Sequence, residues 1–121
     1  MTVITLPFPP SLNNLFINVR RGRIRSQKYD SWLQEAGQEI MRQRPSKCQG
    51  PVSIKYEFQD GRDNRKRDLD NLAKAPNDLL VSHGIIEADD GSIVRSIALE
   101  WNPSVTGVRI TITPAQGTDH V

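Results

Sequence analysis

The chain has 121 residues and a mass of 13.6 kDa, enough for a single domain around one core. Apolar residues make up 36% and charged residues 25%, and no apolar run approaches the roughly 20 residues of a membrane helix, so a soluble globular protein with a modest core is expected and a membrane-spanning one is not. Cys48 is the single cysteine, and His83 and His120 are the two histidines, which excludes a disulfide scaffold or a Cys/His zinc cluster, while the net charge of +2 hides a strongly uneven layout.

Residues 2–6, TVITL, are β-branched and apolar and predict a strand. The opening lacks a basic segment followed by a long apolar stretch, so no secretory signal is read and a cytoplasmic, reducing location is expected. In LPFPPSLNN, three prolines in four positions cannot continue a central strand; a rigid extended exit and a turn are expected. Residues 16–25 carry the first basic window, Arg20, Arg21, Arg23 and Arg25, with Lys28 just beyond, and read as a loop or hairpin around Gly22.

Ser26 has the character of a helix N-cap. Behind it Tyr29, Trp32, Leu33, Ala36, Ile40 and Met41 recur at helical spacing as the expected inner face, and Pro45 stops the helix. Tyr29 and Trp32 are assigned to core packing rather than to base stacking. Residues 52–58, VSIKYEF, alternate, with Val52, Ile54, Tyr56 and Phe58 inward and Ser53, Lys55 and Glu57 outward.

The polar loop QDGRDNRKRD brings the second basic window, Arg62, Arg65, Lys66 and Arg67. A helix is expected over 71–83, with Leu72, Ala73, Leu79 and Leu80 inward and Gly84 as its C′ stop. Pro76 either kinks this helix or occupies the first turn of one that starts later. An acidic turn with Asp89 and Asp90 precedes a strand over 92–101, with Ile93, Ile97, Leu99 and Trp101 inward. A turn at 102–104 and a strand over 106–113 follow. The order β-α-β-α-β-β implies an α+β domain over 1–114: a small mixed sheet, two helices packed on one face and a C-terminal antiparallel hairpin. Residues 115–121 are expected to be a flexible tail.

The chemistry concentrates in RKRDLDNLAK, residues 65–74. Cations lead into two carboxylates, Asp68 and Asp70, which lie on one side of an extended segment. Lys74, four residues beyond Asp70, lies one turn on along the same face if the helix has begun. Carboxylates without a histidine partner, next to a basic loop, suit a hard divalent cation such as Mg²⁺ and a phosphodiester. Two rival readings remain: Asp70 or Asn71 as a simple N-cap, and Asp89-Asp90-Gly91 as an ordinary turn. A Walker-type phosphate loop is missing, and neither histidine is placed to activate a serine or cysteine.

Three segments, ITLPFPPSLNN, RKRDLDNLAKA and GIIEADDGSIV, together resemble the RusA family of Holliday junction resolvases, found in bacteria and their prophages. The central Asp-x-Asp-Asn with a lysine three positions later, combined with the later acidic pair, is the specific part. The resemblance implies a Mg²⁺-dependent endonuclease acting as a homodimer on four-way junction DNA, in recombination and repair. By position it makes Asp68, Asp70 and Asp90 the catalytic, metal-binding acids and Lys74 the catalytic lysine; Asp89 is the weaker member of its pair. Arg67 would help bind DNA, and the clustered cations Arg65, Lys66, Arg20, Arg21, Arg23, Arg25 and Lys28 would contact the backbone. Two alternatives are a non-catalytic branched-DNA-binding protein and an RNA-associated domain whose acids are only caps and turns.

Overall fold

Alternation of apolar and polar side chains builds the sheet, and two amphipathic helices cover one of its faces. The computed structural model describes residues 1–115; of the expected tail only Ala115 is among them, and His120 lies outside the described residues. In chain order these residues form β1 (Thr2–Leu6), a 3-10 turn (Leu12–Asn14), β2 (Phe16–Val19), β3 (Gly22–Arg25), α1 (Gln27–Gln43), β4 (Val52–Gln59), a second 3-10 turn (Leu69–Leu72), α2 (Lys74–Ser82), β5 (Val94–Asn102) and β6 (Val108–Pro114). The main sheet has the order β1-β6-β4-β5, and β2 and β3 pair only with each other.

The mixed α+β architecture is as expected, with one change in pairing. β5 and β6 run in opposite directions but do not form a hydrogen-bonded hairpin: β4 lies between them, parallel to β5 and antiparallel to β6. The cause lies in β4, where Val52, Ile54, Tyr56 and Phe58 are all buried. A strand this apolar needs a neighbour on both edges, whereas β5, with Arg95, Ser96, Ala98 and Glu100 exposed, tolerates an open flank. Ile97 consequently stays exposed at that flank, contrary to its expected inward place.

The β5–β6 connection arches over the end of β4. Gln59 holds it from both sides: its N–H donates to Gly107 O at 2.8 Å and its Oε1 accepts from Gly107 N at 2.9 Å. Gly107 has φ +73°, and a Cβ there would lie 2.1 Å from Leu6 O, so only glycine lets the arch approach the end of β1. The free edge of β1 is covered by Gln43 of α1, whose side-chain amide accepts from Thr5 N and donates to Thr5 O at 3.0 and 2.6 Å. This is one way a sheet edge is protected from pairing with another chain.

α1 starts as the sequence predicts: Ser26 Oγ accepts from Tyr29 N at 3.1 Å. Tyr29, Trp32, Ala36, Gly37 and Ile40 are buried, whereas Met41 is exposed. Gly37 takes the inner position instead, where His83 at the end of α2 packs within 3.5 Å of where a Cβ would be. The expected single helix over 71–83 is split into the 3-10 turn Leu69–Leu72 and α2, so Pro76 falls in the first turn of α2, where it needs no amide partner. Gly84, with φ +70°, ends α2 as expected. α2 is pinned to the sheet by a hydrogen bond from the Tyr56 hydroxyl to Asn77 Oδ1. The common core includes Ile4, Leu6, Ile54, Phe58, Leu72, Leu80, Val108, Ile110 and Ile112, and each fully buried side chain of this kind contributes about 1.5–3 kcal/mol.

Candidate functional site

The proline exit from β1 forms one wall of the site. Trp32 Nε1 donates to Pro7 O at 2.9 Å, which ties the LPFPP segment to α1 and fixes Phe8. Phe8 packs edge-on against Phe58 of the core. Over its ring lie the guanidinium groups of Arg62 and Arg67, 5.0 and 5.3 Å from the centroid. Arg67 is held further by Asp63, with Nη1 and Nη2 donating to the two carboxylate oxygens at 2.8 and 2.9 Å. The Arg67 bonds, and then the Arg65 N–H, hold the Asp63 carboxyl well below the usual carboxylate range. The second basic window is therefore an ordered loop folded around an aromatic ring and an internal carboxylate.

Beside this loop opens a polar cleft of about 400 Å³, to which Lys28, Arg62, Arg65, Lys66, Arg67 and Asp68 all contribute. Phe8, Asn13, Asn14 and Asn71 also line its walls, together with the proline exit and Trp32. A shallower cavity of about 290 Å³ continues past Arg62–Arg67 toward Trp101. The cleft thus joins cations from both expected windows, with Lys28 from α1 facing the 62–67 loop. Arg20, Arg21, Arg23 and Arg25 do not line it; they lie on the β2–β3 hairpin, where Arg23 stacks over Phe16 at 4.7 Å and Arg25 pairs with Asp30 at 2.8 Å.

Asp68 is the extended residue before the 3-10 turn, with φ −95° and ψ 132°, and its carbonyl accepts from Asn71 N. Asp70 lies within that turn. Both are exposed, and neither carboxylate has a hydrogen-bond or ion-pair partner among the described residues. Asp90 is held differently. Its Oδ1 accepts from the Ser92 hydroxyl and, at 2.8 Å, from Ser92 N, and these bonds lower its pKa. Its carbonyl accepts from Ile93 N and Val94 N, which launches β5, and the 69–72 turn approaches β5 and the 12–14 turn. Among the described residues no three acidic, histidine or cysteine side chains are already gathered as a ligand set. Asp68 and Asp70 share one short segment, and Asp90 sits at the foot of a strand that this segment approaches.

Lys74 departs from expectation. Its ammonium pairs with Asp78 at 3.2 Å, four residues on along α2, rather than with Asp70. The helical register that would align Asp70 with Lys74 is broken where the 3-10 turn ends and α2 begins. The residues not anticipated as part of the site are Phe8, Asn13, Asn14 and Asp63, whereas Arg62 belongs to the second basic window and Asn71 to the central motif. The LPFPPSLNN motif carried a signal for the first three; that for Asp63 was hidden, since an acid inside a basic loop reads as solvated charge.

In donor chemistry the site suits a hard divalent cation. Asp68, Asp70 and Asp90 offer oxygen ligands only, and two of these carboxylates have no competing partner among the described residues. No curated protein matches the chain. The family described as Endodeoxyribonuclease RusA, however, matches residues 7–113, a span that runs from the proline exit through the cationic loop and the acids into β6. The chain belongs to the RusA endodeoxyribonuclease family.

Proposed function

We propose that this chain is a Mg²⁺-dependent endonuclease that resolves four-way DNA junctions by paired, symmetric phosphodiester hydrolysis, acting as a homodimer. The observation that carries this reading is the placement of Asp68, without a side-chain partner among the described residues, in the wall of a cleft whose charged lining is otherwise Lys28, Arg62, Arg65, Lys66 and Arg67. A phosphodiester entering the cleft meets cations that position its backbone and the Asp68 carboxylate in its wall. That carboxylate would repel the phosphate on its own, and an intervening cation would remove the conflict. In this reading Asp68, Asp70 and Asp90 would hold the metal, which would supply Lewis acidity and lower the pKa of an attacking water. Ser92 keeps Asp90 ionised and oriented through two hydrogen bonds. Lys74, turned from Asp78 toward the phosphate, stabilises the charge that develops on phosphorus. A junction with approximate twofold symmetry matches a C2 dimer that presents one site to each of two opposed strands.

The test is a Mg²⁺ titration of nicking on a mobile four-way junction, with linear duplex as control. Metal-dependent nicking of the junction, lost in Asp70→Asn while junction binding is kept or tightened, is expected. Junction binding by the native chain with no nicking at any metal concentration would show a branched-DNA-binding protein instead.

A further inference from the structure

The β2–β3 hairpin has two unlike faces. The register pairs Phe16 with Arg25 and Asn18 with Arg23 on one side, and Ile17 with Ile24 and Val19 with Gly22 on the other. The first face turns to the body of the protein: Phe16 meets Tyr29 edge-on at 5.8 Å, and Arg25 pairs with Asp30. Among the described residues no buried core residue covers the second face. Ile17, Val19 and Ile24 remain 49%, 41% and 51% exposed, with Ile17 and Ile24 paired in mid-ribbon and Val19 beside the turn. A two-stranded ribbon is marginal in water, and leaving its apolar pair open adds to that cost. Arg20 and Arg21 stand at the tip beside this face, while Arg23 and Arg25 project from the other one, over Phe16 and onto Asp30.

A second copy of the chain would bring its own Arg20 and Arg21 against this pair, so self-association through this face is opposed by like charge. The complementary partner is anionic and has apolar surface to offer. Unstacked bases flanked by phosphates have that combination, and apolar side chains inserted at a base step with cations beside them are a recurring way to hold DNA open. The hairpin is also fixed relative to the cleft. Ser26, directly after β3, donates from its hydroxyl to Asn14 O at 2.6 Å and from its N–H to Leu15 O at 2.9 Å, and Asn13 and Asn14 line the cleft wall.

We infer that the Ile17–Ile24 face is an apolar wedge that seats against unstacked bases at the branch point of junction DNA while the cleft holds an adjoining phosphate; this rests on the proposed junction substrate.

The experiment places 2-aminopurine at the branch point of an immobile four-way junction and measures its fluorescence with protein in Ca²⁺ or EDTA, so that no cutting is needed. Native protein raises the signal, and Ile17→Thr/Ile24→Thr, which keeps β-branched side chains in both strands, abolishes the rise and lowers the preference for junction over duplex by about tenfold. The salt dependence of binding stays as in the native chain. Circular dichroism verifies the fold of the variant, and Ile24→Trp gives an independent readout, since its indole emission is quenched where it stacks on bases. A native complex with no 2-aminopurine rise overturns the wedge, as does a double variant that retains it. A native dimer that the double variant turns into a monomer overturns it too, in favour of a self-interface. Nicking in Mg²⁺ without any rise removes the wedge alone, whereas a rise without nicking removes the proposed nuclease activity and leaves the wedge.

Discussion

Glu57 lies on the open face of the sheet, yet it is buried beneath its neighbours. Arg109 on β6 donates to both of its carboxylate oxygens at 3.0 and 2.9 Å, and Asn102 at the end of β5 donates at 2.7 Å. One carboxylate thus ties together the three strands whose order was not evident from the sequence. The hydrogen bonds from Arg109, followed by that from Asn102, lower the Glu57 pKa from 4.5 to about 2. At 1.36 kcal/mol per pH unit, this shift corresponds to about 3 kcal/mol of folding free energy. The Glu57 side chain is 8% exposed but Arg109 is 43% exposed, so solvent screens the pair and a contribution of about 1–2 kcal/mol is the better expectation. Because the folded pKa is depressed, this stability is fully present above the unfolded value and is lost as pH falls through the window from about 5 to about 2. Glu57→Gln is therefore expected to cost about 1–2 kcal/mol in urea unfolding at pH 7 and progressively less as the pH is lowered toward 2. Other acids, Asp63 among them, titrate in both proteins, so the difference between the two curves is the quantity to read. Parallel stability curves from pH 7 to 2 would refute the assignment of this ion pair as a tie across the sheet.

Gly107→Ala is expected to destabilise the chain by about 3 kcal/mol or more, since the new Cβ would meet Leu6 O at 2.1 Å in a backbone with φ +73°; thermal melting unchanged within 1 °C would contradict the arch described above. Replacing Arg65 and Lys66 together by alanine should lower the slope of log Kobs against log salt for junction binding by about two, and an unchanged slope removes this part of the cleft from the interface. Asp78→Asn should change unfolding free energy by no more than about 0.5 kcal/mol, because the pair with Lys74 is an exposed i,i+4 contact. Because Lys74 must leave Asp78 to reach the phosphate, the variant is expected to nick junctions at least as fast as the native chain at unchanged affinity; a several-fold slower rate at unchanged affinity would contradict that movement of Lys74.

Periodicity made most of the elements legible. The β4 alternation, the α1 stripe behind Ser26 and the Gly84 stop depend on side chains within one turn or one pleat of each other, and such local spacing is written directly in the chain. The same locality made the concentration of cations before Asp68 and Asp70 visible and carried the resemblance to the RusA family. What tertiary structure decided was how distant segments meet. That β4 would part β5 from β6 follows from its need for two neighbours, a demand that only the whole sheet can satisfy. That Lys74 would pair with Asp78 rather than share a face with Asp70 follows from a break in helical register at Ala73. That Phe8, 59 positions before Arg67, would hold that guanidinium beside the acids follows from Trp32 drawing the proline exit onto α1. Each of these outcomes is settled by packing between residues far apart in the chain, where no spacing rule applies.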